Sequence, residues 1–264
     1  MEAIEGETTP RARRMSRESL FIIFYLILIT MAEVVTALVH PLAGIAFHAV
    51  LLTALVVHCA VVEEAVLHRL LLPLTLAPLT RILSLSMPLT VLSQIYWYPI
   101  IYAPLAAGTV VVMRETGMAW KDVGMSPSRP LLQVTVLPVG LLMGVVEYYI
   151  LRPEPLVAEL AVGGLVFTSL VFFVTTGFVE EWVFRGVMQR AMGERFGWWG
   201  LVYTSLLFAV LHLGFLSVFD LAFVFAVALF FSWVVNKTGS LLGVALAHGL
   251  TNVGLYVVFP LLLD

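Results

Sequence analysis

Three short clusters of polar residues interrupt apolar stretches in the second half of this sequence, and their side chains suit hydrolytic chemistry. The clusters are Glu180, Glu181 and Arg185, then Phe208 and His212, then His248 and Asn252. Glutamate and histidine can move protons as general acids or bases, and histidine and asparagine can donate hydrogen bonds to an oxyanion. The set therefore supplies a base, a group that positions water and oxyanion donors, which are the parts of a hydrolase site.

The spacing within each cluster is that of one helix face. Residues four positions apart lie on the same face of an α-helix, so Glu181 can pair with Arg185. Adjacent residues lie about 100° apart around the helix axis. Glu180 and Glu181 are therefore not expected to face one centre equally well. If Arg185 holds Glu181, then Glu180 is left to face a cavity as a general base or acid.

Each cluster taken alone also has a structural interpretation. A single histidine in a membrane helix can serve as a packing residue that bonds to a neighbouring helix. Glu181 with Arg185 can be a structural ion pair, and two glutamates at a helix end can be solvated. The combination favours a functional site, because polar groups scattered through a membrane without partners would cost several kcal/mol.

The elements that carry these clusters are predicted to be membrane helices. Of 264 residues, 61% are hydrophobic and 12% are charged, against ~25% charged in a usual soluble domain. A soluble core of this length cannot bury so much apolar surface. The single Cys59 excludes a disulfide scaffold, the scarcity of charge excludes disorder, and a net charge of −3 argues against nucleic-acid binding.

The apolar segments predict an all-α, polytopic transmembrane helical bundle of about eight or nine membrane helices. They cover residues 20–39, 41–62, 70–93, 96–113, 130–151, 156–178, 198–216, 218–236 and 240–261. The first is interpreted as an uncleaved span, because it is long and lacks a small-x-small cleavage site. Prolines and Arg81 interrupt 70–97, which leaves a broken span, a re-entrant segment and an interfacial helix as alternatives.

The chain is predicted to be a single domain with four consecutive parts. They are a polar, basic, cytosolic segment (1–19), front transmembrane helices (20–113), an inner-surface connector (114–129) and a catalytic transmembrane core (130–264). Nine spans with an inner N-terminus place every basic residue on the inner side except Arg81 and Arg152, in agreement with the positive-inside rule. The expected location is the plasma membrane.

The ordered motifs EExxxR, FxxxH and HxxxN on predicted membrane helices resemble those of the CPBP intramembrane proteases. This superfamily includes the type II CAAX prenyl endopeptidases and the Abi-type bacteriocin-processing and immunity proteins. The resemblance covers roughly residues 130–260, and the residues before it carry no family signature. Each motif alone is weak, but three motifs in this order are fairly specific.

The resemblance implies a role for each matching residue. Glu180 and His212 would activate a water molecule for attack on a peptide carbonyl, and His248 and Asn252 would stabilise the oxyanion. The site would lie in a helix-lined cavity that opens toward the cytosolic side. The supporting residues would be Glu181 and Arg185, which brace the site, and Phe208, which packs beside His212.

The metal requirement has two interpretations. Glu180, His212 and His248 could form a three-ligand zinc site with one open position. The preferred interpretation is a glutamate–histidine pair without an obligatory metal. The sequence contains no HExxH motif and no GxSxG serine motif, and Asp220 is the only aspartate inside the predicted spans.

The leading hypothesis is an intramembrane endopeptidase that hydrolyses a peptide bond near the cytosolic membrane surface. Its partners would be membrane lipids and a peptide or protein substrate, with no nucleic acid. A prenylated C-terminus, a bacteriocin leader and a membrane-protein tail suit the site equally well. The alternatives are a non-catalytic scaffold or immunity protein of the same fold, and a small transporter that uses Glu180 and His212 as a proton relay. A protease requires the four catalytic candidates to converge on one water-sized site.

The front half carries other polar residues, for which a structural role is preferred over a metal site. They are Glu33, His40, His48, His58, Glu63, Glu64 and His68. Glu63, Glu64 and His68 lie at a predicted inner helix end, where charges can reach water. Glu147, within or near a span, is left without an assigned partner.

Overall fold

The computed structural model describes residues 15–87, 91–156 and 162–263. Within these ranges the regular elements are helices, and nine of them are long and apolar enough to cross a membrane. In chain order they are α1 Arg17–Leu38, α2 Pro41–Val61, α3 Ala65–Leu85, α4 Gln94–Thr116, α5 Pro130–Leu151, α6 Val162–Phe196, α7 Trp198–Phe215, α8 Val218–Thr238 and α9 Leu242–Leu262. The predicted all-α transmembrane bundle is confirmed, whereas the first 14 residues of the predicted cytosolic segment lie outside the described residues.

Large apolar side chains cover the outer surfaces of these helices. Ile27 on α1, Val61 on α2 and Leu142 on α5 are each more than half exposed. Such a surface suits contact with lipid rather than with water, because the hydrocarbon core of a bilayer favours apolar side chains. The chain is therefore an integral membrane protein.

The α3 region contains the interruption that the sequence predicts. Two helical pieces, Ala65–Leu74 and Leu76–Leu85, meet at Thr75. Pro73 lacks the N–H that would continue the ladder, and the Thr75 N–H instead bonds to Leu72 O at 3.1 Å. The two pieces thus follow one another with only Thr75 between them. The second piece ends at Leu85 rather than at the predicted residue 93.

The longest helix, α6, differs most from the sequence prediction. A span that was expected to end at residue 178 continues to Phe196, so the two glutamates lie within the helix and not at its end. Two π-helical stretches, Phe173–Glu180 and Trp182–Met188, run through this part of α6. In a π-helix the backbone bonds run from i to i+5, which changes the angle between successive side chains from its α-helical value.

Small residues let α9 pack tightly between α5 and α6. A Cβ atom added to Gly140 on α5 would lie 2.3 Å from Ala247 O. A Cβ atom added to Gly177 on α6 would lie 2.6 Å from Ala245 O. Close approach at small residues is a general basis of helix association in membranes. Both contacted atoms, Ala247 O and Ala245 O, belong to the backbone of α9. These contacts therefore fix the position of α9 along and around its own axis, and α9 carries the third polar cluster.

Gly177→Ala should destabilise the protein by about 1–3 kcal/mol, because the added methyl group overpacks a backbone contact. The matched control is Gly163→Ala near the start of the same helix, where an added Cβ meets nothing within 4 Å. The measurement is thermal unfolding of the purified proteins in detergent. Equal melting temperatures for the two variants would contradict the proposed role of this contact.

The connector 114–129 packs against the helices that bear the polar clusters. Gly124, at φ +80°, accepts a hydrogen bond from Leu241 N at 3.0 Å, and Val123 is almost completely buried. The Trp120 ring lies 5.3 Å from the ring of Trp182 on α6. The connector is therefore anchored beside the start of α9, while its predicted place at the inner membrane surface stays a prediction.

Several polar residues of the front half contact one another. Glu33 Oε1 lies 2.6 Å from Arg81 Nε and 3.0 Å from His48 Nε2. The Tyr25 hydroxyl is 3.0 Å from His58 Nδ1. Across the parts of the chain that the structure describes, no three His, Cys, Asp or Glu side chains are placed to hold a metal ion together. Glu33, His48 and His58 thus have contacts within the front helices, and the structural role preferred from the sequence stays a prediction.

Candidate active site

A cavity of about 170 Å³, here called the central cavity, lies among α4, α5, α6, α7, α8 and α9. Its lining includes every residue of the three sequence clusters: Glu180, Glu181, Arg185, Phe208, His212, His248 and Asn252. The structure therefore brings the predicted site residues together from three separate helices. All four catalytic candidates line this one cavity. Their convergence on one water-sized site, and the catalytic role of each residue, stay predictions.

A buried chain of charged contacts joins α6 to α9. Arg185 Nη1 donates to Glu181 Oε1 at 2.9 Å, which is the expected pair four residues apart. His248 Nδ1 lies 2.8 Å from the same oxygen. Because a carboxylate oxygen accepts, His248 donates from Nδ1, which fixes its tautomer and ring orientation. His248 can then donate from Nε2 only when the imidazole is protonated.

Glu180 contacts two side chains from other helices. The hydroxyl of Tyr102 on α4 donates to Glu180 Oε1. Glu180 Oε2 lies 3.8 Å from His248 Nε2. His248 therefore approaches both glutamates, but unequally: Glu181 lies at hydrogen-bond distance and Glu180 lies farther away. This agrees with the expectation that the two glutamates do not face one centre equally well, although α6 is π-helical rather than α-helical on both sides of this position.

The sequence analysis did not identify Tyr102. It lies in an apolar helix far along the chain from Glu180, and it belongs to none of the three motifs. A weak signal exists: Tyr98 precedes it by four residues, which places both phenol rings on one helix face. Their ring centroids are 6.4 Å apart, and both residues line the central cavity.

His212 lies just after the α-helical part of α7. Its Nδ1 is 2.9 Å from Phe208 O, so Nδ1 is the donor and Nε2 is left to accept a proton when the ring is neutral. The Phe208 ring lies 4.8 Å from the His212 ring, as the resemblance implies. On its other side, Arg185 Cζ lies 4.2 Å from the Phe208 centroid, within the range of a cation–π contact.

Asn252 and Glu147 also line the central cavity. Asn252 lies one turn beyond His248, and its amide has no hydrogen-bond partner among the described residues. It is therefore free to bond to a ligand. Glu147, which the sequence left unassigned, reaches the same cavity from α5 and is largely buried.

Residues 162–254 match the family model described as type II CAAX prenyl endopeptidase Rce1-like. The matched range, residues 162–254, is here called the Rce1-like domain after this similarity. The domain runs from the start of α6 into α9 and includes all seven residues of the three clusters. The similarity to a type II CAAX prenyl endopeptidase is thus a similarity of this range of the chain.

One curated relative is similar to part of this chain. An uncharacterised 24.3 kDa protein of Escherichia coli is 33% identical over 96 residues, which cover 35% of this chain and 44% of the relative. The chain thus spans less than half the length of that relative. No solved structure matches this chain.

A second cavity of about 240 Å³, here called the front cavity, adjoins the Rce1-like domain. It shares Glu180 and His212 with the central cavity. Its other polar lining comes from helices that precede the domain: Thr80, Arg81, Ser84, Gln94, Tyr98 and Tyr102. Glu180 and His212 therefore lie where the two cavities meet.

The zinc alternative gains no support from the side chains of the Rce1-like domain. Glu180, His212 and His248 line one cavity, but they do not form a metal-binding group within the described residues. His248 Nδ1 is bonded to Glu181 and His212 Nδ1 to the backbone, so each ring has only Nε2 for a ligand bond.

Proposed function

We propose that this protein is an intramembrane endopeptidase that hydrolyses a peptide bond in the central cavity. The observation that carries the proposal is the convergence of Glu180, His212, His248 and Asn252 on one cavity within the Rce1-like domain. These side chains come from three helices, so their convergence is not a consequence of sequence proximity. Acyl transfer to water needs a base, a proton donor and oxyanion donors, and this set provides each of them.

Glu180 and His212 activate the water molecule in this mechanism. Tyr102 occupies Glu180 Oε1, which leaves Oε2 to accept a water proton, and His212 orients the water through Nε2. The water oxygen then forms a bond to the carbonyl carbon, and the carbonyl electron pair moves to its oxygen. When the C–N bond breaks, Glu180 returns the proton to the leaving nitrogen, and the products are a carboxylic acid and an amine.

His248 and Asn252 stabilise the oxyanion of the tetrahedral intermediate. Asn252 donates from its amide, which has no partner among the described side chains. His248 donates from Nε2 in its protonated form, because its Nδ1 proton is held by Glu181. Donors that are already oriented stabilise developing charge without the cost of reorganisation.

Glu181, Arg185 and Phe208 are positioning residues in this proposal. Glu181 receives Arg185 and His248 on one oxygen, and Phe208 lies against Arg185 on one side and His212 on the other. The imidazoles of both histidines are thereby held by contacts that do not involve substrate. Support of this kind keeps catalytic groups within the narrow geometry that they need.

We further propose a plasma-membrane location with the N-terminus in the cytosol and cleavage near the cytosolic surface. The distribution of basic residues supports this orientation. Substrates with a prenylated C-terminus, a bacteriocin leader or a membrane-protein tail remain candidates. External labelling of a Lys121→Cys variant in intact cells by a membrane-impermeant thiol reagent would contradict this orientation.

The experiment that tests the function is cleavage of a peptide library by the purified protein in detergent, with products read by mass spectrometry. Prenylated and unprenylated peptides are run in parallel, with and without a chelator. We expect cleavage that Glu180→Gln abolishes and that the chelator leaves unchanged. Loss of activity that zinc restores would contradict the metal-free mechanism, and absence of cleavage would favour a scaffold or immunity protein.

A further inference from the structure

Arg81 brings a guanidinium to the wall of the front cavity from α3, outside the Rce1-like domain. It is the only lysine or arginine among the described residues that line this cavity. Its side chain is only 16% exposed. A positive charge at this depth in a membrane protein is costly, and such charges commonly mark binding sites or pathways.

Residues of α1 and α3 form hydrogen bonds with the Nε and Nη1 atoms of this guanidinium. Glu33 Oε1 accepts from Arg81 Nε at 2.6 Å, and Glu33 is fully buried and also approached by His48. Arg81 Nη1 lies 3.4 Å from Ser84 Oγ. A guanidinium has five N–H donors, of which Nε carries one. Nη2 has no hydrogen-bond partner in the described ranges, so most donors at the far end of Arg81 are uncommitted.

The far end of Arg81 reaches toward the Rce1-like domain. A Cβ atom built on Gly214, two residues after His212, would lie 3.9 Å from Arg81 Nη2. The same cavity wall contains Glu180 and His212. If Arg81 served only as the counterion of Glu33, its hydrogen bond from Nε would be sufficient. The open donors beside the proposed water-activating pair indicate a ligand-binding role as well.

We propose that Arg81 binds a carboxylate of the peptide substrate in the front cavity, an inference that rests on the proposed endopeptidase function. The planar fork of a guanidinium matches two carboxylate oxygens, and bonds of this type are among the strongest in proteins. Ser84 and Gln94 line the same cavity and can bond to the ligand from its sides. The carboxylate is then held in the front cavity while the scissile carbonyl reaches Glu180, at the junction with the central cavity.

A carboxylate of this kind has two sources in a peptide: the free C-terminus and an acidic side chain. The test therefore uses a substrate found in the library assay in four forms. They are the free acid, the C-terminal amide, the amide with one aspartate near the cleavage site, and the amide with asparagine at that position as the control. For the wild-type protein we expect one carboxylate-bearing form to be cleaved about 10–100-fold more efficiently, mainly through KM.

The protein variants identify Arg81 as the group responsible. Arg81→Gln should remove the preference for the carboxylate-bearing form, and Arg17→Gln, on an exposed arginine that pairs with Glu64, should retain it. Because Arg81→Gln leaves Glu33 buried without its partner, a Glu33→Gln/Arg81→Gln double variant is measured as well. Thermal unfolding in detergent shows whether each protein is folded.

The outcomes separate this inference from the proposed function. Equal cleavage of all peptide forms by the wild-type protein would overturn the carboxylate role while leaving the endopeptidase function intact. A preference that persists in folded Arg81→Gln and in the double variant would assign it to another group and also overturn the inference. Absence of any cleavage by the wild-type protein would overturn the proposed function, and this inference with it.

Discussion

Glu180→Gln should lower kcat for peptide cleavage by about 10²–10⁴-fold, which is the usual contribution of a general base. Glutamine keeps the size of the side chain and can still accept the Tyr102 hydrogen bond through its oxygen. It cannot take a proton from water, so the loss reports proton transfer rather than packing. The measurement is turnover of a quenched fluorescent peptide in detergent, with thermal unfolding recorded on the same preparation.

The matched control for this substitution is Glu115→Gln near the exposed end of α4, which should leave kcat unchanged. Both variants remove one carboxylate and keep the volume of the side chain. Activity close to that of the wild-type protein in a folded Glu180→Gln variant would exclude Glu180 as the base. In that case the proposed mechanism would have no group that accepts the proton of the attacking water.

Asn252→Ala should lower kcat by about 10²–10³-fold with little change in KM, the effect expected when one oxyanion donor is removed. The Asn252 amide makes no hydrogen bond to another described residue, so the substitution breaks no internal hydrogen bond. The loss should therefore fall on the transition state, where the oxyanion forms. Steady-state kinetics on the peptide used for Glu180→Gln separates kcat from KM.

Asn236→Ala, at the exposed end of α8, is the control for removal of an asparagine amide. It should retain the kcat and the thermal stability of the wild-type protein. If Asn252→Ala raises KM and leaves kcat unchanged, Asn252 binds the ground state, and the oxyanion role is wrong. If neither constant changes, the amide does not contact the reacting carbonyl at all.

The site residues of the Rce1-like domain were accessible to sequence analysis because their spacing is local. Pairs four residues apart share a helix face whatever the rest of the chain does. The scarcity of charge among the apolar segments then made each polar residue conspicuous. The same argument predicted the pairing of Glu181 with Arg185, which the structure has at 2.9 Å.

The contact between Tyr102 and Glu180 could not be predicted in this way. It depends on how α4 packs against α6, and no local pattern in the sequence specifies that long-range contact. The end of α6 was misplaced for a related reason. A pair of glutamates normally favours the end of a membrane span, but here Arg185 and His248 compensate Glu181 within the bundle. The helix therefore continues past them to Phe196.

The hydroxyl that reaches Glu180 comes from α4, which lies outside the range matched by the family model. The range that matches the family model and the set of residues that line the central cavity are therefore different. Transplanting residues 162–254 into another membrane scaffold would carry over every motif but would leave behind the parts of the cavity wall that α4 and α5 provide. For an engineer of this protein, the smallest portable unit of the site includes α4 and α5 together with the matched range.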